Sequence, residues 1–261
     1  MRDGLSGQPV SLERCYTTSV MIGDISNHEV GGVSADTANS LIAKHWSEVC
    51  SNIDVGNMIA NFEGMEHLYV IGGWLRDLVH NHIWSTELRS KDIDMVFQGG
   101  SAPGFLAHCE RTEFNGYTFQ TGGITWDFWR LEDTWTFIER YFAPSVETLM
   151  RSLTFTVDAI LFEPRTALLL ANEALQDIRA RSLRLNCDIY LDRLGSLQAY
   201  RAAKVCEKYG YTPTADTKRI LRDKLNEDKL RGLLEKEARK ANVSPQAFVA
   251  QWLTKVLETI P

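Results

Sequence analysis

The amino-acid sequence predicts an α+β protein, in which a mixed β-sheet is followed by an α-helical subdomain. Strand-like alternation is concentrated between residues 67 and 170, and helical spacing of apolar residues dominates from residue 172 onward. Two of the predicted strands also contain carboxylates, which indicates that a functional site lies on the sheet. We predict an N-terminal arm with helices that pack on the sheet over residues 1–64, the sheet domain over 65–171 and the helical subdomain over 172–261.

Apolar spacing and turn residues predict the individual elements. The predicted strands are Thr18–Ile22, Leu68–Ile71, the segment that carries Asp92 and Asp94, Tyr117–Gln120, Ile124–Leu131, Phe155–Phe162 and Ala167–Leu170, with a hairpin turn at Gly122–Gly123. The predicted helices begin at Ser34, near Val55, after Gly73 and near Ser101 or Pro103, with further helical character in Thr134–Arg151 and then Asn172–Arg181, Leu191–Tyr209, Ala215–Leu225, Lys229–Ala241 and Pro245–Ile260.

Composition excludes several classes of protein. The chain has 261 residues, 44% of them hydrophobic, and a formal net charge of −6, which argues against a broadly basic nucleic-acid coat but leaves room for a local basic groove. No run of about 18 apolar residues is present, and the first twenty residues lack the apolar core of a signal peptide. The five cysteines are scattered and predict reduced thiols in a cytoplasmic protein with no membrane partner, not a disulfide framework or a zinc site.

The most informative stretch is His67–Gly100. It reads as a buried strand, a Gly72–Gly73 turn, a helix, and a second strand that carries Asp92 and Asp94. Residues i and i+2 of a strand project from the same face, so the two carboxylates lie together and repel each other unless a cation sits between them. Mg²⁺ prefers such oxygen ligands and bridges phosphates. A Gly-Gly turn at a helix start leaves backbone N–H groups facing an anion, as in a phosphate cradle.

Asp127 is a third candidate carboxylate. It lies in the middle of an apolar strand, with Trp126 and Phe128 predicted on the opposite face, and burying a lone carboxylate is costly. Two-metal phosphoryl-transfer sites hold their ions about 3.5–4 Å apart and commonly take ligands from neighbouring strands. The simpler interpretation is that Asp92 and Asp94 lie on a solvated strand face and that Asp127 is exposed at an edge. A D-x-D motif alone does not decide, but the Gly-Gly turn, the Arg-Asp helix and the third strand Asp favour the metal site.

These motifs resemble a known family. VIGGWLRDLVHN followed by SKDIDMVF is similar to the head signature of the nucleotidyltransferase superfamily, a GG-x-x-R-D helix followed by a D-x-D strand. The branch it resembles contains class II tRNA nucleotidyltransferases (CCA-adding enzymes) and bacterial poly(A) polymerases. Weaker similarity continues through TWDFWRL, FTVDAILF, ALQDIRARSLRL and DRLGSLQAYRAAKVCEKYGY, so that the resemblance covers roughly residues 65–212.

The resemblance implies a polymerase-β-like head followed by a helical neck. It also implies transfer of a nucleoside monophosphate from an NTP to an RNA 3′ end, which includes tRNA, with release of pyrophosphate. The implied catalytic and Mg²⁺-binding residues are Asp92, Asp94 and Asp127, with two Mg²⁺ ions. The implied nucleotide-binding residues are Gly72, Gly73 and Arg76 for the triphosphate and Asp192 for the base. Arg201 and Lys204, at i and i+3 of the predicted neck helix, either face the triphosphate or are solvated charges.

The chain departs from the family pattern in three places. Ser152-Leu153-Thr154 replaces the basic R-R-D before F-T, Asp158 replaces the Asn of F-T-x-N-A, and in the neck motif E-D-x-x-R the Glu is Leu191 and the Arg is Gly195. In the family the neck Asp and Arg bind the edge of the incoming base, and losing the Arg removes a rigid fork of donors. We therefore expect the nucleotide or the acceptor to differ from that of a tRNA nucleotidyltransferase.

Several residues retain two interpretations. Arg76 and Asp77 pair with each other to support the helix, or Arg76 contacts phosphate. The basic cluster Lys218, Arg219, Arg222, Lys224, Lys229 and Arg231 steers an RNA backbone or forms a solvated helix face. The tryptophans Trp126, Trp129 and Trp135 stack a base or lie in the core.

Two other functions compete with RNA extension. One is transfer to a protein or small molecule, as in nucleotidyltransferase toxins or antibiotic-modifying enzymes, and the other is an inactive fold that serves as a binding module. The intact D-x-D weighs against the inactive module. The sequence leaves the nucleotide, the acceptor, the number of nucleotides added and the oligomeric state open.

Overall fold

The structure, a computed structural model, describes residues 34–112, 115–139, 141–171 and 173–261. The strand predicted at Thr18–Ile22 lies outside these residues, as does most of the predicted N-terminal arm. Within the described parts of the chain, no helix is both long and apolar enough to cross a membrane.

The elements follow one another in the predicted order. The helices are α1 (Ala35–Cys50), α2 (Ile53–Ala60), α3 (Gly73–Trp84), α4 (Trp135–Ile138), α5 (Val146–Ser152), α6 (Ala174–Ala180), α7 (Leu191–Tyr209), α8 (Ala215–Lys224), α9 (Glu227–Lys240) and α10 (Pro245–Thr259). The strands are β1 (His67–Ile71), β2 (Asp92–Gln98), β3 (Glu110–Arg111), β4 (Tyr117–Thr121), β5 (Ile124–Arg130), β6 (Ile160–Glu163), β7 (Leu168–Ala171), β8 (Ser182–Leu183) and β9 (Thr212–Pro213). The prediction of α7 is confirmed to the residue, and those of α8, α9 and α10 to within two residues.

The main sheet is mixed, as the sequence predicts. Among the described residues it has seven strands in the order β3-β4-β5-β2-β1-β6-β7. Strands β2 and β5 pair in parallel, and the other neighbours pair antiparallel. The Gly122–Gly123 turn joins β4 to β5 with both glycines at positive φ, where side chains are disfavoured. The α+β class with a mixed sheet and a helical C-terminal part is therefore confirmed.

Alternation along the central strands gives the sheet two different faces. One face carries the fully buried Ile93, Met95, Trp126 and Phe128 and packs against the first helices. Trp126 is thus a core residue. On the other face, a second apolar cluster covers part of the sheet beneath α4 and α5, with Trp129 and Trp135 partly buried at its edge; its core includes Tyr69, Ile71, Val96, Leu131, Leu149 and Leu161. The aspartates of β2 and β5 occupy the rest of this second face.

Two predicted elements are wrong in extent. The strand predicted at Phe155–Phe162 is a short 3₁₀ turn at Thr156–Asp158 followed by a strand that begins only at Ile160. Apolar residues are buried in both halves, so a buried run did not distinguish a turn from a strand. The helix predicted from Ser101 or Pro103 is a 3₁₀ turn at Gly104–His108 that leads into β3. Pro103 and Gly104 favour a turn over a sustained helix.

Candidate active site

Asp94 and Asp127 lie side by side on the second face of the sheet. They are register partners across the parallel β2–β5 pair, and Asp92 precedes Asp94 by two residues on the same face. Asp92 is exposed, and Asp94 and Asp127 are half-buried, whereas the intervening Ile93 is buried on the opposite side. The structure thus brings together the three carboxylates that the sequence singled out.

Both burial and neighbouring charges act on Asp94. Burial raises the pKa of Asp94 to about 7, with further upward contributions from Asp92, Asp127 and Asp158, and Arg201 acts in the opposite direction. Besides burial, three neighbouring carboxylates and one arginine act on this pKa, so negative charges outnumber positive ones among these neighbours. The cluster therefore favours any ligand that brings positive charge.

Asp127 has a neutral partner that the sequence did not predict. Its Oδ1 accepts a hydrogen bond from the Thr118 hydroxyl, and Thr118 is its register partner across the antiparallel β4–β5 pair. This bond fixes the Asp127 side chain and satisfies one oxygen of a carboxylate that burial penalises.

The carboxylates suit Mg²⁺ in their chemistry. Negatively charged, hard oxygen ligands are what this ion binds, and Asp94 has Asp92, Asp127 and Asp158 as charged neighbours against Arg201 alone. Across the described ranges, however, no three His, Cys, Asp or Glu side chains surround one point closely enough to hold a metal as they stand. Asp92, Asp94 and Asp127 are the residues that would hold such an ion.

The Gly72–Gly73 turn brings the start of α3 against the carboxylates. Gly72 has φ +75, a conformation that favours glycine, and a Cβ there would lie 3.8 Å from Asp94 Oδ2. A Cβ at Gly73 would lie 3.5 Å from Arg76 Nη2 and 3.8 Å from Ser90 Oγ. A helix start carries N–H groups without intrahelical partners, and these attract an anion. The predicted phosphate cradle and the carboxylates are therefore adjacent.

Arg76 is buried and tied to a fourth aspartate. It forms an ion pair with Asp158, and its Nη2 donates to the Tyr209 hydroxyl over 2.9 Å. Tyr209 donates in turn to Asp77, which also accepts from Ser90 Oγ over 2.9 Å. Arg76 and Asp77 are thus linked through Tyr209, and both take part in a supporting network.

The same network joins the helical subdomain to the sheet domain. Lys208 of α7 pairs with the buried Asp77 over 3.0 Å, and His80 of α3 hydrogen-bonds the Tyr211 hydroxyl over 3.0 Å. Burial, followed by the nearby Arg181, lowers the pKa of His80 to about 4. His80 is therefore a neutral, structural residue near neutral pH.

Helix α7 presents different faces to its two neighbours. Arg201 lowers the pKa of Asp94 and so lies on the side of the carboxylates. Asp192 and Arg201 are nine positions apart, and nine steps of about 100° place them on opposite faces of the helix. The exposed Asp192 pairs with Lys224 at the end of α8. Arg201 therefore lies on the carboxylate side of α7, and Asp192 lies on the side that faces the end of α8.

Gly195 is a point of close helix packing. A Cβ at this position would lie 2.3 Å from the carbonyl oxygen of Lys224, so a larger side chain has no room. The position where the family carries its base-contacting Arg is therefore closed by the end of α8. Two members of the predicted basic cluster make contacts with other parts of the protein. Arg219 pairs with Asp216, and Arg222 donates a hydrogen bond to the Ile260 carbonyl.

Sequence reasoning overlooked the roles of Asp158, Thr118, Tyr209 and Lys224. Asp158 had a usable signal, because it is a carboxylate in the apolar run FTVDAILF, just as Asp127 is in ITWDFWRL. Thr118 acts across the β4–β5 hairpin, and Tyr209 and Lys224 act through contacts between elements distant in sequence; periodicity gives no sign of these contacts.

Comparison with solved structures connects this geometry to known proteins. A CCA-adding enzyme in complex with CTP is 17% identical, with a TM-score of 0.56 over 83% of this chain and 55% of that one. The Thermotoga maritima CCA-adding enzyme complexed with tRNA is 18% identical, with a TM-score of 0.52 over 80% and 53%. The chain shares their fold. A tRNA-processing enzyme with CTP is 17% identical, with a TM-score of 0.50 over 78% and 57%.

The similarity has clear bounds. The chain spans little more than half the length of these enzymes. No protein-family model and no curated protein sequence matches it. The fold predicted from VIGGWLRDLVHN and SKDIDMVF is thus confirmed by structure at an identity of 16–18%.

Proposed function

We propose that this protein is a Mg²⁺-dependent nucleotidyltransferase. It transfers a nucleoside monophosphate from an NTP to an acceptor hydroxyl and releases pyrophosphate. The observation that carries this proposal is the pairing of Asp94 with Asp127 across two parallel strands, with Asp92 on the same face and the pKa of Asp94 raised to about 7. The shared fold supports it, since solved structures of that fold are CCA-adding enzymes in complexes with CTP and with ATP.

Each part of the site has a role in this reaction. Asp92, Asp94 and Asp127 hold Mg²⁺, which when bound stabilises the charge that develops on the phosphates. The start of α3 at Gly72–Gly73 receives the triphosphate. Arg201 adds a positive charge on the α7 side of the carboxylates, and the chain thereby positions the α-phosphorus for attack by the acceptor oxygen.

The proposed acceptor is an RNA 3′ end, and tRNA is the first to test. The support is that one neighbour of the same fold is a CCA-adding enzyme complexed with tRNA. Because Gly195 leaves no space for a base-reading Arg, we do not assign the nucleotide to C or A. Asp192 with Lys224 remains the candidate base contact only if the base reaches the α8 side of α7.

Transfer to a protein or small molecule is the second candidate. The closed position at Gly195 favours it, because this chain lacks the contact through which the family reads a base during RNA extension. The cytoplasmic location that the sequence predicts is compatible with either acceptor.

One experiment separates the two acceptors. The purified protein is incubated with Mg²⁺ and each α-³²P-labelled NTP in turn, together with total RNA in one set and cell protein in another. Label on RNA supports RNA extension, and label only on protein rejects it. Label on neither, with no Mg²⁺-dependent NTP binding by calorimetry, contradicts the proposed function.

A further inference from the structure

One hydroxyl side chain lies in the same row of the sheet as the carboxylates. Thr118 of β4 is the register partner of Asp127, and Asp127 is the register partner of Asp94. Register partners project from one face of a sheet, so Thr118 also lies on the second face. Its side chain is half-buried, and its hydroxyl donates a hydrogen bond to Asp127 Oδ1. No step of the reaction proposed above uses this hydroxyl.

The row places the hydroxyl on the far side of the carboxylates from the phosphate cradle. Ile71, the residue before the Gly72–Gly73 turn, is the other register partner of Asp94. The order along the row is therefore the cradle, Asp94, Asp127 and Thr118. In phosphoryl transfer the attacking and the leaving oxygen lie roughly in line, on opposite sides of the phosphorus. With pyrophosphate leaving at the cradle, Thr118 lies on the side from which an acceptor hydroxyl attacks.

The Thr118 hydroxyl is held in a fixed orientation and remains accessible. A threonine has few side-chain rotamers, and the hydrogen bond to Asp127 selects one of them. Because the O–H bond points at Asp127, the lone pairs of Oγ1 are left free for another partner. Beyond Thr118 the row ends at its register partner Glu110 of the two-residue strand β3, and Glu110 is exposed. The hydroxyl thus lies at the solvent-accessible end of the row.

We propose that Thr118 is itself an acceptor, so that the protein transfers a nucleotidyl group to its own chain. The inference rests on the proposed function for the NTP and for its position at the cradle. Thr118 Oγ1 forms a bond to the α-phosphorus, and the bond from the α-phosphorus to the bridging oxygen breaks. Pyrophosphate leaves with the electron pair of that bond, and the hydroxyl proton passes along the hydrogen bond toward Asp127 and on to solvent. The product is a phosphodiester between the nucleoside and Thr118.

Two properties of the modification follow from the geometry. Thr118 and the carboxylates belong to one sheet of one chain, so transfer is intramolecular and its rate per chain does not depend on protein concentration. Each chain accepts one nucleotidyl group at this position, because the modified Thr118 has no hydroxyl left. The attached nucleotide also occupies the place of an incoming NTP. Self-modification therefore closes the site to further turnover.

The test uses the whole purified chain with Mg²⁺ and each α-³²P-labelled NTP in turn, without an added acceptor. Tandem mass spectrometry of the digested protein locates the nucleotidyl group. We expect one group per chain, on Thr118, at a rate per chain that stays constant over an about hundredfold range of protein concentration. Thr118→Val keeps the shape of the side chain without its hydroxyl and should abolish the modification. Thr118→Ser retains a hydroxyl and should restore it.

Controls separate the loss of an acceptor from a disturbed site. Thr121→Val changes the same strand on the opposite face and should leave labelling unchanged. Calorimetry with Mg²⁺ should show that Thr118→Val binds NTP as the wild type does, whereas fully modified wild type binds none. Affinity-tagged Asp94→Asn, which retains Thr118, should stay unlabelled when it is mixed with the wild type. Circular dichroism checks folding, and if Thr118→Val does not fold, Thr118→Ser and the located modification carry the test.

The outcomes for this inference and for the proposed function are distinct. Label on RNA or on cell protein, with none on Thr118, overturns self-modification and leaves the proposed function standing. Label on another residue of the chain, or on the tagged Asp94→Asn protein, also overturns it, as does unchanged labelling of Thr118→Val. Absence of incorporation into every acceptor, the chain itself included, overturns both.

Discussion

Asp94 of β2 and Asp127 of β5 are register partners in a parallel strand pair, so their side chains leave the same face of the sheet side by side. Burial first, and then the charges of Asp92, Asp127 and Asp158, raise the pKa of Asp94 to about 7. The fold therefore keeps carboxylates together at some expense in stability, as functional sites commonly do.

Asp94→Asn is expected to stabilise the metal-free protein above neutral pH. Between the ordinary carboxyl pKa of 3.8 and about 7, the folded state binds more protons at Asp94 than the unfolded state does, so stability falls as pH rises through this window. Removing the charge should raise the free energy of unfolding at pH 8 by on the order of 1–2 kcal/mol. Urea unfolding at pH 5 and pH 8 measures this, and no gain at pH 8 contradicts it.

Mg²⁺ should raise the melting temperature of the wild type at pH 8 and leave that of Asp94→Asn nearly unchanged. The ion binds the folded carboxylates and not the unfolded chain, so the shift grows with ion concentration. Differential scanning fluorimetry from 0.1 to 10 mM MgCl₂ provides the measurement, with Asp216→Asn as the control. Equal shifts for all three proteins would show that the ion acts elsewhere.

His80 should make the protein less stable as pH falls from about 6.5 to 4. Its folded-state pKa is lowered to about 4 from an ordinary 6.5, so the unfolded chain takes up a proton in this window that the folded protein does not. The contribution of neutral His80 to the stability of the fold is fully present above pH 6.5. His80→Gln should weaken this dependence, whereas His82→Gln, an exposed position on the same helix, should retain it. The free energy of unfolding across pH 4–8 tests both, and parallel profiles for the two variants argue against the account.

Gly195→Ala should destabilise the protein, because the new Cβ would meet the Lys224 carbonyl at 2.3 Å and force α7 and α8 apart. Overpacking of this kind costs about 1–3 kcal/mol. Gly232→Ala is the matched control, since a Cβ in the middle of α9 meets nothing within 4 Å. It should stabilise the helix by roughly 0.5–1 kcal/mol. Equal effects of the two substitutions on the free energy of urea unfolding would contradict the close packing of Gly195 against the Lys224 carbonyl.

Tyr209→Phe should remove the hydroxyl that connects Arg76 to Asp77. The buried Asp77 then loses a donor and Arg76 an acceptor, for a cost of about 1–3 kcal/mol. Since Tyr209 belongs to α7 and Arg76 to α3, whose start we propose receives the triphosphate, nucleotide binding should weaken as well. Calorimetry and urea unfolding measure the two effects, with Tyr141→Phe as a control, and unchanged values for Tyr209→Phe would exclude this link.

Much of the architecture was predictable because its signals are local. Alternation placed Asp92, Asp94 and Asp127 opposite buried apolar residues, and helical spacing gave α7 its full extent. The register between β2 and β5 could not be predicted from alternation, because neither strand's own sequence indicates that residue 94 pairs with residue 127. The Asp158 turn was mistaken for strand because a buried run is compatible with either.

Contacts between distant segments explain the rest. From the sequence, Arg76 and Asp77 were predicted to support the helix, or Arg76 to bind phosphate. Their actual hydrogen-bond partner, Tyr209, is more than 130 residues away in the sequence. The likeness of DRLGSLQAYR to the neck motif fixed the position of Asp192, but its pairing with Lys224 follows from the packing of α8 against Gly195. Neither the contacts of Tyr209 nor the pairing of Asp192 with Lys224 can be recognised from a sequence motif.

The most direct test of the central claim is Mg²⁺-dependent incorporation of label from α-³²P-NTPs by the variants Asp92→Ala and Asp94→Ala. The wild type and Asp216→Ala serve as controls. Each labelled NTP is supplied with total RNA and, separately, with cell protein. Loss of incorporation of at least about 1,000-fold in both site variants, with folding intact by circular dichroism and with Asp216→Ala active, is the predicted result. Full activity in either site variant would contradict the assignment of these carboxylates as the catalytic metal site.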